Sequence, residues 1–338
     1  MAGIKPRNGM TVGMGSLPHR DLDAAVEFAL RASTVATVPS LPRRSPAEGL
    51  IAQAVVGIDG VSLGQYGSIS VDAARLDPSR VVHTDLGHEA FEAFRAFLAA
   101  APAHAEPGRP MRVKWQLVGP VTLGTALARA GVSADDAFEI AVLAVRAHLQ
   151  HLLDAVDLAL PGCEQLVFVD EPDLTDLTDP AFPIAPDTAI DLVSGALAAI
   201  ETRAASGLSV GPTADWASMI AAGPKVLCVP VQSSIVEAAG HLAAFLERGG
   251  VIAWGAVHTD GPIATTAERP WRQLSDLWCQ LVERGCDQIA LRQQCMITPA
   301  GGLGSHTPAV AERVMRVADE IGRRVRDQAT ASRFVLGA

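Results

Sequence analysis

The stretch Gln165-Leu166-Val167-Phe168-Val169-Asp170-Glu171-Pro172 decides how this chain is read. Four apolar residues, two of them β-branched, run straight into a pair of carboxylates and a proline stop. An unbroken apolar run predicts a strand buried on both faces, as in a parallel sheet, with a polar end opening at the sheet's carboxyl edge. That edge is where α/β proteins place their ligands. Adjacent carboxylates delivered there point to ligand chemistry. The plainer alternative is that Asp170 caps the following turn while Glu171 is solvated.

The same arrangement recurs along the chain. Strand-like runs are predicted at 11–17, 35–39, 112–118, 166–169, 208–211, 226–231, 251–257 and 288–297. Amphipathic helices separate them, clearest at 21–32, 134–158, 187–202, 235–247, 271–284 and 308–326. Strands alternating with crossover helices predict an α/β fold with parallel strands, and eight such units in 338 residues suit one (β/α)8 TIM barrel occupying 1–338. The segment 56–71, with Asp59-Gly60 and Gly64-Gln65-Tyr66-Gly67, reads as a β-hairpin inserted after strand 2, at the rim of the mouth.

An apolar fraction of 49% supplies a large core, and the net charge of −10 with a pI near 5.4 leaves no basic footprint for nucleic acid. No apolar stretch approaches the roughly 18 to 20 residues needed to cross a bilayer, so no membrane partner is expected. Five cysteines without CxxC spacing, and no cleavable leader pattern, predict a reduced cytoplasmic protein. The partner expected is a small-molecule substrate. Nothing in the sequence specifies an oligomeric state.

In a barrel the chemistry follows the strands. The runs end in Gly13-Met14-Gly15-Ser16-Leu17-Pro18-His19-Arg20, Gly119-Pro120-Val121-Thr122, the acidic pair, Gly211-Pro212-Thr213, Gln232-Ser233-Ser234, His258-Thr259-Asp260, and Thr298-Pro299-Ala300-Gly301-Gly302-Leu303-Gly304. Taken in order, Gly15-Ser16, Gly119-Pro120-Val121-Thr122, Val169-Asp170-Glu171-Pro172 and the terminal Thr-Pro-x-x-Gly-Leu-Gly resemble the catalytic barrel of cobalamin-independent methionine synthase over nearly the whole chain. That superfamily also includes uroporphyrinogen decarboxylase. The resemblance implies methyl transfer from a folate-type carrier, with a methyl-folate as co-substrate, to a thiol such as homocysteine, within methionine biosynthesis. It gives Ser16, Asp170 and His258 the task of holding the amino-acid substrate, a carboxylate taking the ammonium group.

The same resemblance implies zinc ligands at positions that here hold Ser209, Gly211, Pro230 and Gly301. Glycine and proline side chains cannot ligate zinc, so the expectation is a degenerate site with no tightly bound metal. A replacement set drawn from Cys228, Cys295, His258 and His306 is the alternative. Without a metal, Asp170, Glu171 or His258 would serve as the base for the thiol. Arg292 interrupts the last apolar run, and a buried arginine needs an anion: Asp170, Glu171 or a ligand carboxylate. Two other functions stay open: a metal-free decarboxylase of the uroporphyrinogen decarboxylase type, although its arginine-rich N-terminal segment is not visible, and a non-catalytic binding barrel.

Overall fold

The computed structural model describes residues 8–335, with side chains described as far as 328. Eight parallel strands form a single curled sheet: β1 Met10–Thr11, β2 Ala36–Thr37, β5 Arg112–Val118, β6 Glu164–Glu171, β7 Ala205–Val210, β8 Val226–Pro230, β9 Val251–Val257 and β10 Cys295–Pro299. The hairpin strands β3 Val61–Leu63 and β4 Ile69–Val71 pair antiparallel outside it, where the sequence placed an insertion. The order runs β1-β10-β9-β8-β7-β6-β5-β2, and isolated bridges Val12–Val35 and Ser16–Ser40 join the two ends. Val35 N donates to Thr11 O (3.1 Å), and Ser40 N donates to Gly15 O (3.0 Å). The sheet is a TIM barrel whose β1–β2 seam is its most lightly bonded.

Two apolar layers follow from the strand alternation. Outward side chains pack under the helices, while Met10, Val12, Val35, Leu166, Phe168, Ala205, Val226, Cys228, Val251, Ala253 and Met296 fill the barrel interior. Gly207 makes room for the Phe168 ring, which would lie 2.8 Å from a Cβ at that position.

One strand is corrected. The run 288–297 splits into a helix, Gln288–Gln293, and the shorter β10. Asp287 caps that helix, accepting from Ile289 N (2.8 Å) and Ala290 N (2.6 Å), and Leu291 buries its one apolar face. A continuous apolar count hides a short capped helix, and the aspartate was the overlooked signal. Arg292 therefore sits in the last turn of a helix ahead of β10, at the end of the barrel opposite the strand carboxyl ends, and it is half-buried rather than buried in a strand.

Candidate functional site at the barrel mouth

The acidic pair divides because neighbouring strand residues face opposite ways. Glu171 points outward and is fully buried. It accepts from Val121 N (2.9 Å) and Thr122 N (2.6 Å) at the start of the helix Pro120–Arg129. The preceding Gly119 is demanded by this contact, since a Cβ there would overlap the Glu171 carboxylate. Burial pushes the Glu171 carboxyl up to about 7, while the Thr122 side chain and the two backbone N–H groups pull it down. Glu171 is thus an anchor between β6 and a helix N-terminus, and the geometry does not bring it to the mouth.

Asp170 faces inward at the carboxyl end of β6 and keeps part of its surface open. Its carboxylate accepts from the Ser209 hydroxyl, on the neighbouring strand β7, where Asp170 and Ser209 are register partners. Burial lifts its carboxyl to about 6, opposed by the charge of Lys114 and by the Ser209 hydrogen bond. Neither alternative drawn from the sequence holds: Asp170 caps no turn, and Glu171 is not solvated.

Beneath Asp170 lies a group the sequence reading passed over. Lys114, on β5, is 2% exposed, and its side chain rises along the inside of the barrel. Its Nζ donates to Met14 O (2.9 Å) and Gln116 Oε1 (2.6 Å) and sits 5.1 Å from the centre of the Phe168 ring. Gly15, at φ +111°, lies flat against the Gln116 amide, and no side chain fits between them. Thr298 Oγ1, on β10, donates to Met14 Sδ (3.3 Å). The available signal was a lysine at an inward position of the alternating run Arg112-Val113-Lys114-Trp115-Gln116-Leu117-Val118.

Ser16 is at the same end of the barrel, pressed against the glycine-rich loop that follows β10. Its Oγ accepts from Gly304 N (3.3 Å), and a Cβ on Gly302 would lie 2.5 Å from that oxygen. His258 follows β9 directly and is exposed. Ser16, Asp170 and His258 therefore share the carboxyl face of the barrel, and Arg292 does not. Of the other arginines, Arg43 is tied to His306 O, and Arg44 pairs with Glu92 (2.7 Å) and Glu48 (3.6 Å). An open cavity of about 430 Å3 lies between the segments that follow β7 and β8, with Trp216, Glu237 and His241 in its lining and none of Ser16, Asp170 or His258.

The residues present do not fit zinc. Ser209 is engaged with Asp170, Gly211 lies so close to Thr175 Oγ1 that a Cβ would overlap it, and Pro230 and Gly301 offer no ligating atom. Among the described residues no three His, Cys, Asp or Glu side chains are grouped to hold a metal ion. Cys228 faces the interior and Cys295 the outer core, so the two point away from each other. All five cysteines are free thiols.

The sequence matches no protein-family model. It matches no curated protein either. The fold does find counterparts among solved structures. A methyltransferase from Methanosarcina mazei aligns over 94% of this chain and 94% of its own length, with a TM-score of 0.55 and 13% identity. A B12-independent methionine synthase from Shewanella sp. W3-18-1, solved with selenomethionine, aligns over 92% of this chain and 88% of its own, with a TM-score of 0.60 and 12% identity. A putative vitamin-B12-independent methionine synthase from Listeria monocytogenes aligns over 90% and 86%, with a TM-score of 0.58 and 14% identity. At these identities the likeness is one of fold. Among the described residues no helix is long and apolar enough to cross a membrane.

Proposed function

We propose that the mouth binds a small thiol-bearing amino acid of the homocysteine kind, and that the barrel transfers a methyl group to it from a folate-type carrier without zinc, in a reducing cytoplasm. The observation that carries this reading is Asp170: a half-buried residue facing inward at the carboxyl end of β6, its carboxylate held by Ser209, suits an ammonium group. Ser16 and the backbone of the glycine-rich loop beside it are donors for the ligand carboxylate, and His258 stands at the rim. The fold likeness to methyltransferase and methionine synthase structures supports the reaction class.

The test is a thermal-shift screen of homocysteine, methionine, methyl-folates and porphyrinogens against the wild type and Asp170→Asn, alongside metal analysis of the purified protein. Stabilisation by homocysteine or methionine that vanishes in Asp170→Asn supports the reading. Response to porphyrinogens alone replaces it with the decarboxylase. Absence of any response, or about one tightly held zinc per chain, rejects it.

A further inference from the structure

The floor of the mouth holds a lysine that the reading above leaves idle. A lysine ammonium has three N–H donors, whereas the neutral amine has two and a lone pair. Lys114 Nζ has two acceptors, Met14 O and Gln116 Oε1, and no third lies within hydrogen-bond distance among the described residues. That pattern satisfies the neutral amine completely and leaves its lone pair at the remaining tetrahedral position. The ammonium form would have only the face of the Phe168 ring, 5.1 Å away, for its third N–H.

Composition points the same way. Only three of the 27 basic residues are lysines, and one of them stands inside the barrel. Arginine cannot surrender its proton in a protein; lysine can, and burial eases the loss. Burial pushes Lys114 down to about 8, with the charge of Asp170 pulling it back up, so both protonation states are within reach near neutral pH. Cys228 is no competing acid, because burial raises its thiol to about 12. Asp170 and Cys228 are the titratable side chains acting on Lys114. Met14, Gln116 and Asp170 are each only partly buried, so the amine lies one side-chain layer below the open mouth.

We propose that Lys114 is the proton acceptor of the site, taking the proton from the thiol of a ligand anchored at Asp170 and thereby doing without a metal. This rests on the thiol methyl-transfer reading. The S–H bond breaks and an N–H bond forms on Nζ, giving a thiolate beside an ammonium. The sulfur electron pair attacks the methyl carbon of the carrier, an S–C bond forms, and the C–N bond of the carrier breaks with its electron pair remaining on nitrogen. That nitrogen takes the proton back from Lys114, and the amine is restored. A free thiol, with a pKa of about 8.5, is mostly protonated at neutral pH, so a base at this position removes a real obstacle.

Two measurements test it. With three lysines in the chain, the ε-carbon signals of 13C-lysine-labelled protein can be titrated one by one, Lys114→Met giving the assignment. Lys114 is expected to titrate well below the other two, and three coincident titrations near the ordinary lysine value would overturn the proposal. The second reads thiolate ultraviolet absorbance when L-homocysteine binds at pH 7.5. Bound thiolate is expected in the wild type and its loss in Lys114→Met. Equal thiolate in both proteins would assign the base elsewhere. Failure of homocysteine to bind the wild type would sink the methyl-transfer reading itself, whatever the lysine titration shows.

Discussion

Replacing Glu171 should damage the fold, and replacing its neighbour Asp170 should damage only the site. In Glu171→Ala the buried N–H groups of Val121 and Thr122 lose the carboxylate that accepts from both. An unsatisfied buried donor costs about 1–3 kcal/mol, so the pair is worth about 2–6 kcal/mol. Removing a carboxylate from a helix N-terminus adds about 0.3–1 kcal/mol, and the vacated volume adds more. Against this, Glu171 itself pays for burial, as its raised pKa shows, and a water entering the gap would restore part of the bonding. The expected net loss is about 2–5 kcal/mol at pH 7.5. Asp170→Asn removes a carboxylate whose ionisation burial disfavours, so its stability should stay within about 1 kcal/mol of wild type or rise. Urea denaturation followed by circular dichroism measures both. An undamaged Glu171→Ala together with an Asp170→Asn destabilised by several kcal/mol would refute the assignment of one carboxylate to the fold and the other to the site.

Binding of an aminated ligand should weaken as pH falls through about 6, because Asp170 becomes protonated there and loses its attraction for an ammonium; calorimetric titration should show this slope in the wild type and a flat profile in Asp170→Asn. His148 is fully buried, bonds to Thr84 Oγ1 (2.8 Å) and Ala54 O (2.9 Å), and is pushed by burial down to about 4. The unfolded chain then takes up the extra proton first, so stability is full above pH 6.5 and is lost as pH falls toward 4; His148→Gln should flatten that acid limb by an amount on the order of 3 kcal/mol. Restoring zinc ligands with Ser209→His, Gly211→Cys, Pro230→Glu and Gly301→Cys meets crowding rather than backbone strain, since neither glycine has a positive φ while new Cβ atoms press on Thr175 Oγ1 and Thr259 Oγ1. With Thr175→Ala added, zinc should raise the melting temperature; a folded quintuple variant indifferent to zinc would break the residue matching on which the zinc comparison depends.

The fold was legible where the apolar pattern was long. The runs at 112–118 and 251–257 match β5 and β9 residue for residue: β9 carries only apolar side chains and a glycine, and β5 keeps Val113, Trp115, Leu117 and Val118 buried in the core. Strands β1 and β2 shrink to two residues each, because glycines and serines around the seam bend the chain away from regular pairing and leave only bridges. The acidic pair was visible as a site, but its division was not. Which of two adjacent carboxylates faces the interior depends on strand parity, and parity is fixed only once register is known. Lys114 escaped notice for a related reason: in a run that also carries Arg112 and Gln116 a lysine looks like a solvated position until the fold sets its Nζ against Met14 O and the Gln116 amide inside the barrel.

The most direct test of the central claim, that Asp170 anchors a small aminated ligand at the barrel mouth, is a pair of calorimetric titrations of L-homocysteine into wild type and Asp170→Asn at pH 7.5. The account predicts saturable one-to-one binding in the wild type and a loss of at least tenfold in affinity in the variant, an effect of about 1.4 kcal/mol or more, with melting temperature unchanged or raised. Equal affinity in the two proteins would contradict it.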